Sequence, residues 1–453
     1  MGLAPLAGAL GLVVVGDAFA YDRALIDMPI AWLAAAGVAV GLVFLGLPRL
    51  VRRTTPNATL IAGMIGLGLV LRLVMLPSTP AIEDDFYRYL WDGAVISAGL
   101  NPYGHAPAEA LAGTVAGDDG ATLTDLAAES GAVIQRINHP RLRTVYPPAA
   151  QAFFALAHGI APWSLAAWRG VLLAFDLAAL GLILALLAML GRSPLWAALY
   201  WWNPLVVREL FNAAHVDGLL APLLLGAVFL AIRKRPVWAS GALALAVGVK
   251  LWPVLLLPVV LRTSWCGRRG AAAGTLLFVA LAGAMSWPMI ATGLGPASGI
   301  TAYGRGWEMN DALFMAVAWG FEGVLHAMGA FTYHAGLLAR FAVGAAMVIL
   351  IVWLCRRPAA DAEDLCRRVL AVIAALFLLG PTQFPWYYAP MVPFLALAPR
   401  TSLLLLTALL PLYDLRFHFD ARGAPGIFDH GIVWIEYAPV WALLAWEFMN
   451  RAR

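Results

Sequence analysis

Runs of about twenty consecutive apolar residues, closed off by arginines, recur along this chain, and a run of that length and polarity has one ready solution. It forms an α-helix that crosses a bilayer, because hydrocarbon offers no partner for a free backbone N–H or C=O. Residues 2–20, 29–48 and 58–77 open the series, and Arg49, Arg52 and Arg53 close its second member. Composition agrees. Of 453 residues, 62% are hydrophobic and 12% charged, against roughly 25% charged in soluble domains. The chain is therefore an all-α polytopic membrane protein. Its net charge of +4 comes from arginines in short loops, the pattern of the cytoplasmic side, and does not point to a nucleic-acid partner. Cys266, Cys355 and Cys366 each lie beside an arginine pair. They fall on that same side and form neither a disulfide framework nor a metal set. Residues 2–16 lack a basic leader, so the first run reads as a membrane helix and not as a cleaved signal peptide.

Arginine placement gives the order of spans. Residues 58–77 run outward, with Arg72 near the exit read as a snorkelling side chain, and deliver a long loop of mixed polarity, 78–164, expected to carry juxtamembrane helices. Residues 165–190 return to Arg192, 195–211 run outward, 212–217 turn, and 218–232 come back to Arg233, Lys234 and Arg235. Residues 236–262 are too long for one helix and have basic groups at both ends. They read as a hairpin of two short helices with Lys250, Trp252 and Pro253 at its tip. Later spans follow from 270, 336 and 369, two more flank Arg400, and the last ends at Arg451 and Arg453. The total is about fourteen spanning helices in a single domain, with both ends cytoplasmic. Within it, residues 58–262 read as a catalytic module and 263–453 as a donor-side module.

The most unusual stretch follows the third span: EDDFYRYLWDGAVISAGLNPY, residues 83–103. Glu83, Asp84 and Asp85 sit in a row just past a hydrocarbon edge, where a carboxylate carries a desolvation cost. As a helix, the stretch puts Asp84 and Arg88 on one face and Asp85, Tyr89 and Asp92 on another. One reading is a solvated, self-paired helix start; the other is a working carboxylate.

The polar groups converge on one side of this topology. The outer face receives residues 83–85, 136–143, 212–217, 305–311 and 384–388. Transporters usually hold their site near the bilayer midplane. Groups gathered at one mouth suit an enzyme that meets a lipid-borne substrate. The segments EDDFYRYLWDG with GLNPY, YPP at 146–148, NPL at 203–205 with HVD at 215–217, GWEMNDALF at 306–314 and FPWYY at 384–388 together resemble the GT-C class of integral-membrane glycosyltransferases. The nearest likeness is to bacterial polyprenyl-phosphate-mannose-dependent mannosyltransferases of the family 87 type. It covers roughly residues 58–388. It implies a GT-C fold, a carboxylate on the first outer loop, a polyprenyl-phosphate sugar donor and a glycolipid or glycan acceptor. It also implies inversion at the anomeric carbon without a required metal or other cofactor, in a bacterial plasma membrane with the site facing the periplasm or exterior.

The chemistry of such a transfer needs a base for the acceptor hydroxyl and cations for the departing phosphate. The family's acidic motif falls on Asp84 or Asp85, with Asp84 the first choice for the base. Lys250, one of two lysines in the chain, is a cation within an apolar hairpin and is assigned with Arg305 to the donor phosphate. Snorkelling for Lys250 and plain solvation for Arg305 are the competing accounts. Arg88, Tyr146, His215, Asp217, Asn310 and Trp386 are the candidates for acceptor or sugar contacts. Asp217 also fits a helix N-cap. Two other functions compete. A flippase of lipid-linked sugars needs an ionisable path, for which Asp176 is the one isolated acid deep in a span, with no partner evident. An envelope-glycan ligase or polymerase needs a larger outer loop than residues 293–311.

Overall fold

The computed structural model of the protein describes residues 2–451 and is helical throughout, with only isolated bridges between extended residues among those described. Arg453, expected at the cytoplasmic end, lies outside the described residues. Among the described residues, seven helices are long and apolar enough to cross a membrane: Ile30–Arg53, Ala58–Met75, Leu165–Met189, Arg268–Ala291, Thr332–Cys355, Thr401–Asp420 and Pro425–Asn450. An eighth crossing is made if Pro204–Asn212 and Val216–Ile232, bent by 112°, count as one span. The protein is thus a multi-pass membrane protein. Several of the fourteen expected spans are shorter apolar helices, among them Leu3–Val14 and Pro236–Val247.

Local chemistry sets many of the boundaries. The Asn57 side chain accepts from the Leu60 N–H and starts Ala58–Met75, and Ser164 does the same for Leu165–Met189. Spans at the rim turn apolar side chains outward. Leu276, Phe341 and Ile349 are 67–72% exposed in the isolated chain, a surface that lipid covers. The centre is irregular. Residues 195–211 do not form the single expected helix. Asn203 accepts from the Leu205 N–H, Pro204 starts a new helix, and the chain passes through a π-helical turn, Arg208–Asn212. Irregular backbone is tolerated at membrane depth where protein surrounds it. Val206, Phe211, Asn212 and His215 are indeed fully buried.

Two sequence expectations about buried charge change here. Arg72 does not snorkel. Its guanidinium donates to Asp176 at 2.8 Å, with both side chains at most 1% exposed. It also donates to the Trp201 carbonyl and lies 3.8 Å from the Trp201 ring. Asp176 therefore has a partner, and Tyr200 donates to its other oxygen. Each charge of the pair thus has a buried counter-charge, as buried charges need.

The loop after Met75 folds into helices, as expected: Asp85–Ser97, Pro107–Leu111, Gly117–Glu129, Ala132–Gln135 and Pro148–Ile160. Asp85–Ser97 packs closely on Pro148–Ile160. A Cβ at Gly93 would lie 2.4 Å from the Phe154 carbonyl oxygen, so only glycine allows the approach. The hairpin forms as read. Pro236–Val247 and Leu257–Leu261 flank a break holding Lys250, and the Gly248 carbonyl at the break accepts from the Ala149 and Ala150 N–H groups. The hairpin tip and the loop thus meet. Elsewhere, Arg52, Arg192, Arg367 and Arg400 line a cavity of about 310 Å³ with Trp196 and Glu363, bringing arginines from distant parts of the chain to one place.

Candidate active site

Glu83 to Asp85 follow a strained residue. Ile82 has φ 69°, a rare conformation for a β-branched side chain, of the kind that collects at functional sites. The helix begins at Asp85, and Asp84 occupies the cap position without a capping bond. Asn138 donates to both carboxylates, at 2.8 Å to one oxygen of Asp84 and 2.8 Å to one oxygen of Asp85. The other Asp85 oxygen accepts from the Tyr146 hydroxyl at 3.3 Å. Burial and the Asp85 charge push the Asp84 carboxyl up to about 7, and the Asn138 bond opposes them. Burial, with Glu209 and Asp85, pushes Glu83 well above the usual range.

Arg88 does not pair with Asp84. It donates to Asp92 at 2.8 Å and to the Leu142 carbonyl at 2.9 Å, and Gln151 holds the second Asp92 oxygen at 2.9 Å. Because Asp84 lies before the first helical residue, the i,i+4 spacing does not bring it to Arg88, whereas Asp92 is one full turn ahead. Arg88 therefore braces the helix. Asp85, Tyr89 and Asp92 share one face of the helix Asp85–Ser97, as expected, and the two carboxylates have separate partners.

The turn after the π-helical segment is tied to this loop. Asn212 accepts from the Ala81 N–H at 3.0 Å and donates to Ser78 at 2.9 Å and to the Thr79 carbonyl at 2.8 Å. Arg169 donates to the Ser78 and Asn212 carbonyls. The turn passes through Ala214 at φ 62°, whose carbonyl accepts from Trp168 at 2.7 Å, and presents His215. One ring nitrogen, Nδ1, lies 3.7 Å from Asp85; the other, Nε2, lies 3.7 Å from Glu83 and 3.6 Å from Glu209. The ring stacks on Trp386, which stacks on Phe384 at 4.5 Å.

Asp217 is not a capping residue. It sits inside the short 3₁₀ turn Val216–Leu219, and Lys250 donates to both its oxygens at 2.8 Å. Lys250 also lies 3.9 Å over the Tyr387 ring. The hairpin cation is therefore held among functional candidates and does not reach away to solvent.

Asp84, Asp85, Tyr146, His215, Asp217, Lys250 and Trp386 thus form one cluster. Two candidates stand apart. Arg305 is exposed at the end of Gly299–Gly306 and makes no hydrogen bond or ion pair with the cluster among the described residues. Asn310 is buried in a second network, donating to the Gln383 carbonyl at 3.2 Å, Glu436 at 2.9 Å and Tyr437 at 3.2 Å. It braces the segment leading to Trp386. Asn138 and Glu209 escaped the sequence reading. Asn138 has no local signal. Glu209 had one: it is a carboxylate inside an apolar run, next to Arg208.

The cluster combines carboxylates able to accept a proton, a fixed ammonium and a wall of aromatic faces. Its composition suits hydroxyl deprotonation opposite an anionic leaving group. Comparison with known proteins gives this chemistry a family. The family model for glycosyltransferase family 87 matches residues 144–381, a range that holds Tyr146, His215, Asp217 and Lys250. A curated relative, "Alpha-(1->6)-mannopyranosyltransferase A" of Mycobacterium tuberculosis (strain ATCC 25618 / H37Rv), is 25% identical over 411 residues, covering 83% of this chain and 73% of the relative. No solved structure matches the chain.

Proposed function

The chain belongs to glycosyltransferase family 87 and is a membrane glycosyltransferase, and from that premise we propose that it moves a mannosyl residue from a polyprenyl phosphate to a lipid-linked or envelope glycan acceptor, with inversion. The observation that carries this reading is the Asp85 carboxylate. One of its oxygens is fixed by Asn138 while the other faces Tyr146 and His215, on the side of the Asp217–Lys250 pair. Geometry favours Asp85 over Asp84 as the base, since among the described residues the Asp84 carboxylate accepts a hydrogen bond only from the Asn138 side chain. In the proposed step, Asp85 takes the proton of the acceptor hydroxyl as that oxygen attacks the anomeric carbon. The bond from that carbon to the phosphate oxygen breaks, and polyprenyl phosphate leaves with the electron pair. Lys250 balances the growing negative charge. A positioned base is worth about 10²–10⁴-fold, and a fixed cation adds electrostatic stabilisation. Asp84 and Asn138 hold the base in place. Phe384, the half-buried end of the His215–Trp386–Phe384 stack, offers apolar ring surface to a sugar. Residues of both expected modules contribute, Asp85 and Lys250 from the first and Trp386 from the second.

The mannosyl donor and acceptor rest on the name of the relative and on the resemblance of the motifs. The mouth holding this cluster is proposed to face the periplasm or exterior of a bacterial plasma membrane, on the strength of the arginine placement. The flippase alternative loses its main support, because Asp176 is closed off by Arg72 and Tyr200. Purified protein given polyprenyl-phosphate mannose and a mannosylated lipid acceptor should yield a product one hexose heavier by mass spectrometry. Efficient transfer from a soluble nucleotide sugar instead would overturn the donor assignment.

A further inference from the structure

We infer that Glu83, Glu209 and His215 form a binding site for a divalent metal cation of the manganese or zinc type. Their nearest ligand atoms all lie within 4.8 Å of one another. Nε2 of His215 is 3.7 Å from Glu83 Oε2 and 3.6 Å from Glu209 Oε2. Those gaps are too long for a hydrogen bond, which a contact of 3.6 Å is not. They match the spacing of atoms that share a metal: ligands about 2.1 Å from a tetrahedral ion stand about 3.4 Å apart.

The second observation is what these atoms lack. Both ring nitrogens of His215 and both carboxylate oxygens of Glu209 are buried without a hydrogen-bond partner. The His215 side chain is 0% exposed and that of Glu209 is 1% exposed. Buried polar atoms in folded proteins are almost always paired, and an exception calls for an unseen partner. Arg208 does not supply it. It stands 3.4 Å from Glu209 but 2.8 Å from Asp414, so one guanidinium faces two buried carboxylates while Glu83 adds a third nearby. A dication at the Glu83–Glu209–His215 focus offsets that surplus.

The backbone is shaped for the task. The π-helical turn and the left-handed residue Ala214 bring Glu209 and His215 to the same side, and the His215 N–H donates to the Glu209 carbonyl at 3.0 Å. Stacking on Trp386 fixes the ring plane. One imidazole with two carboxylates suits manganese or zinc better than an all-oxygen ion. Metal-bound histidines usually turn their other N–H to a carboxylate. Here Nδ1 faces Asp85 at 3.7 Å. On the reading of Asp85 as the base, which this consequence rests on, the cation links directly to the orientation of the proton acceptor. The family resemblance implies no required metal, so the site is a departure from it.

The test uses the purified full-length protein in detergent, stripped with EDTA and titrated with Mn²⁺ while free Mn²⁺ is followed by electron paramagnetic resonance. The expected result is one Mn²⁺ bound per chain, displaced by Zn²⁺, with ¹⁴N modulation from one imidazole in the bound spectrum. His215→Ala should abolish the modulation, and Glu209→Gln should weaken binding by at least about tenfold; Asp119→Asn, on an exposed loop helix, should leave binding intact. Absence of stoichiometric binding, bound Mn²⁺ without nitrogen coupling in the wild-type protein, or binding indifferent to Glu209→Gln overturns the assignment. The nitrogen signal is read on wild-type protein, so a variant that fails to fold does not remove the test. No sugar donor is present, so a negative result leaves the transfer reading standing. Failed transfer by a protein that binds Mn²⁺ overturns that reading alone.

Discussion

His215 lies flat against Trp386, with ring centroids 3.9 Å apart and planes 13° from parallel. The contact joins a turn near the middle of the chain to a segment 171 residues later, and it holds the imidazole between Asp85 and the Glu83–Glu209 pair. An aromatic contact of this kind is worth about 0.5–1.5 kcal/mol. Trp386→Ala should therefore lower kcat/KM for transfer by up to about tenfold, since 1.36 kcal/mol is one decade in rate. Trp386→Phe should retain most of the activity. Equal kinetics for Trp386→Ala and the wild type would remove the stack from the account.

Lys250 and Asp217 make a pair whose structural and chemical roles separate. Lys250→Met leaves the Asp217 carboxylate, 1% exposed, without its cation. Breaking a buried pair from one side costs about 3–5 kcal/mol, so the thermal midpoint should fall clearly. Lys250→Met combined with Asp217→Asn should recover most of that stability and none of the transfer. Recovery of both would make the pair a structural clamp only.

Asp311 supplies a pH test away from the cluster. Burial, with the Glu308 charge adding to it, pushes its carboxyl from 3.8 up to about 7. The folded protein therefore holds a proton on Asp311 in the window between about 4 and 7 that the unfolded chain has released. Its contribution to stability is fully present below that window and lost as pH rises through 7. Asp311→Asn mimics the protonated form. It should raise the melting temperature over wild type at pH 8 and by much less at pH 5. A difference that does not change with pH would contradict the assignment.

The proposed orientation is checked by labelling. Cysteines placed at Asp119 and Gly304 should react with an impermeant reagent applied to intact cells, while the native Cys266 should not. Reaction at Cys266 from outside would invert the topology.

Much of this architecture was legible because apolar length is a local property. The runs 58–77 and 165–190 become Ala58–Met75 and Leu165–Met189, and the hairpin around Lys250 follows from its length and flanking arginines. What was illegible depended on partners far along the chain. Arg72 looked like a snorkelling residue because Asp176 is 104 positions away. Residues 195–211 read as one span because their breaks are stabilised by distant groups. Trp201 and Trp202 donate to the Ile65 and Met64 carbonyls, and Trp168 and Arg169 to the turn at 212–214. Arg88 had two carboxylates at helical spacing, and the choice between them turned on a helix boundary one residue past Asp84. The carboxylate cluster itself was found by its position at a membrane edge, but Asn138, which joins its two aspartates, carries no signal of its own.

The central claim is that Asp85 receives the acceptor proton while Asp84 holds it in place. Single-turnover transfer from polyprenyl-phosphate mannose, measured for Asp85→Asn and Asp84→Asn in protein shown by thermal melting to be folded, tests it most directly. The account predicts that Asp85→Asn lowers the rate by about 10²–10⁴-fold, the worth of a positioned base, and that Asp84→Asn stays within about tenfold of wild type, the structural bond to Asn138 being replaceable by an amide. Near wild-type turnover for Asp85→Asn, or the larger loss falling on Asp84→Asn, would contradict it.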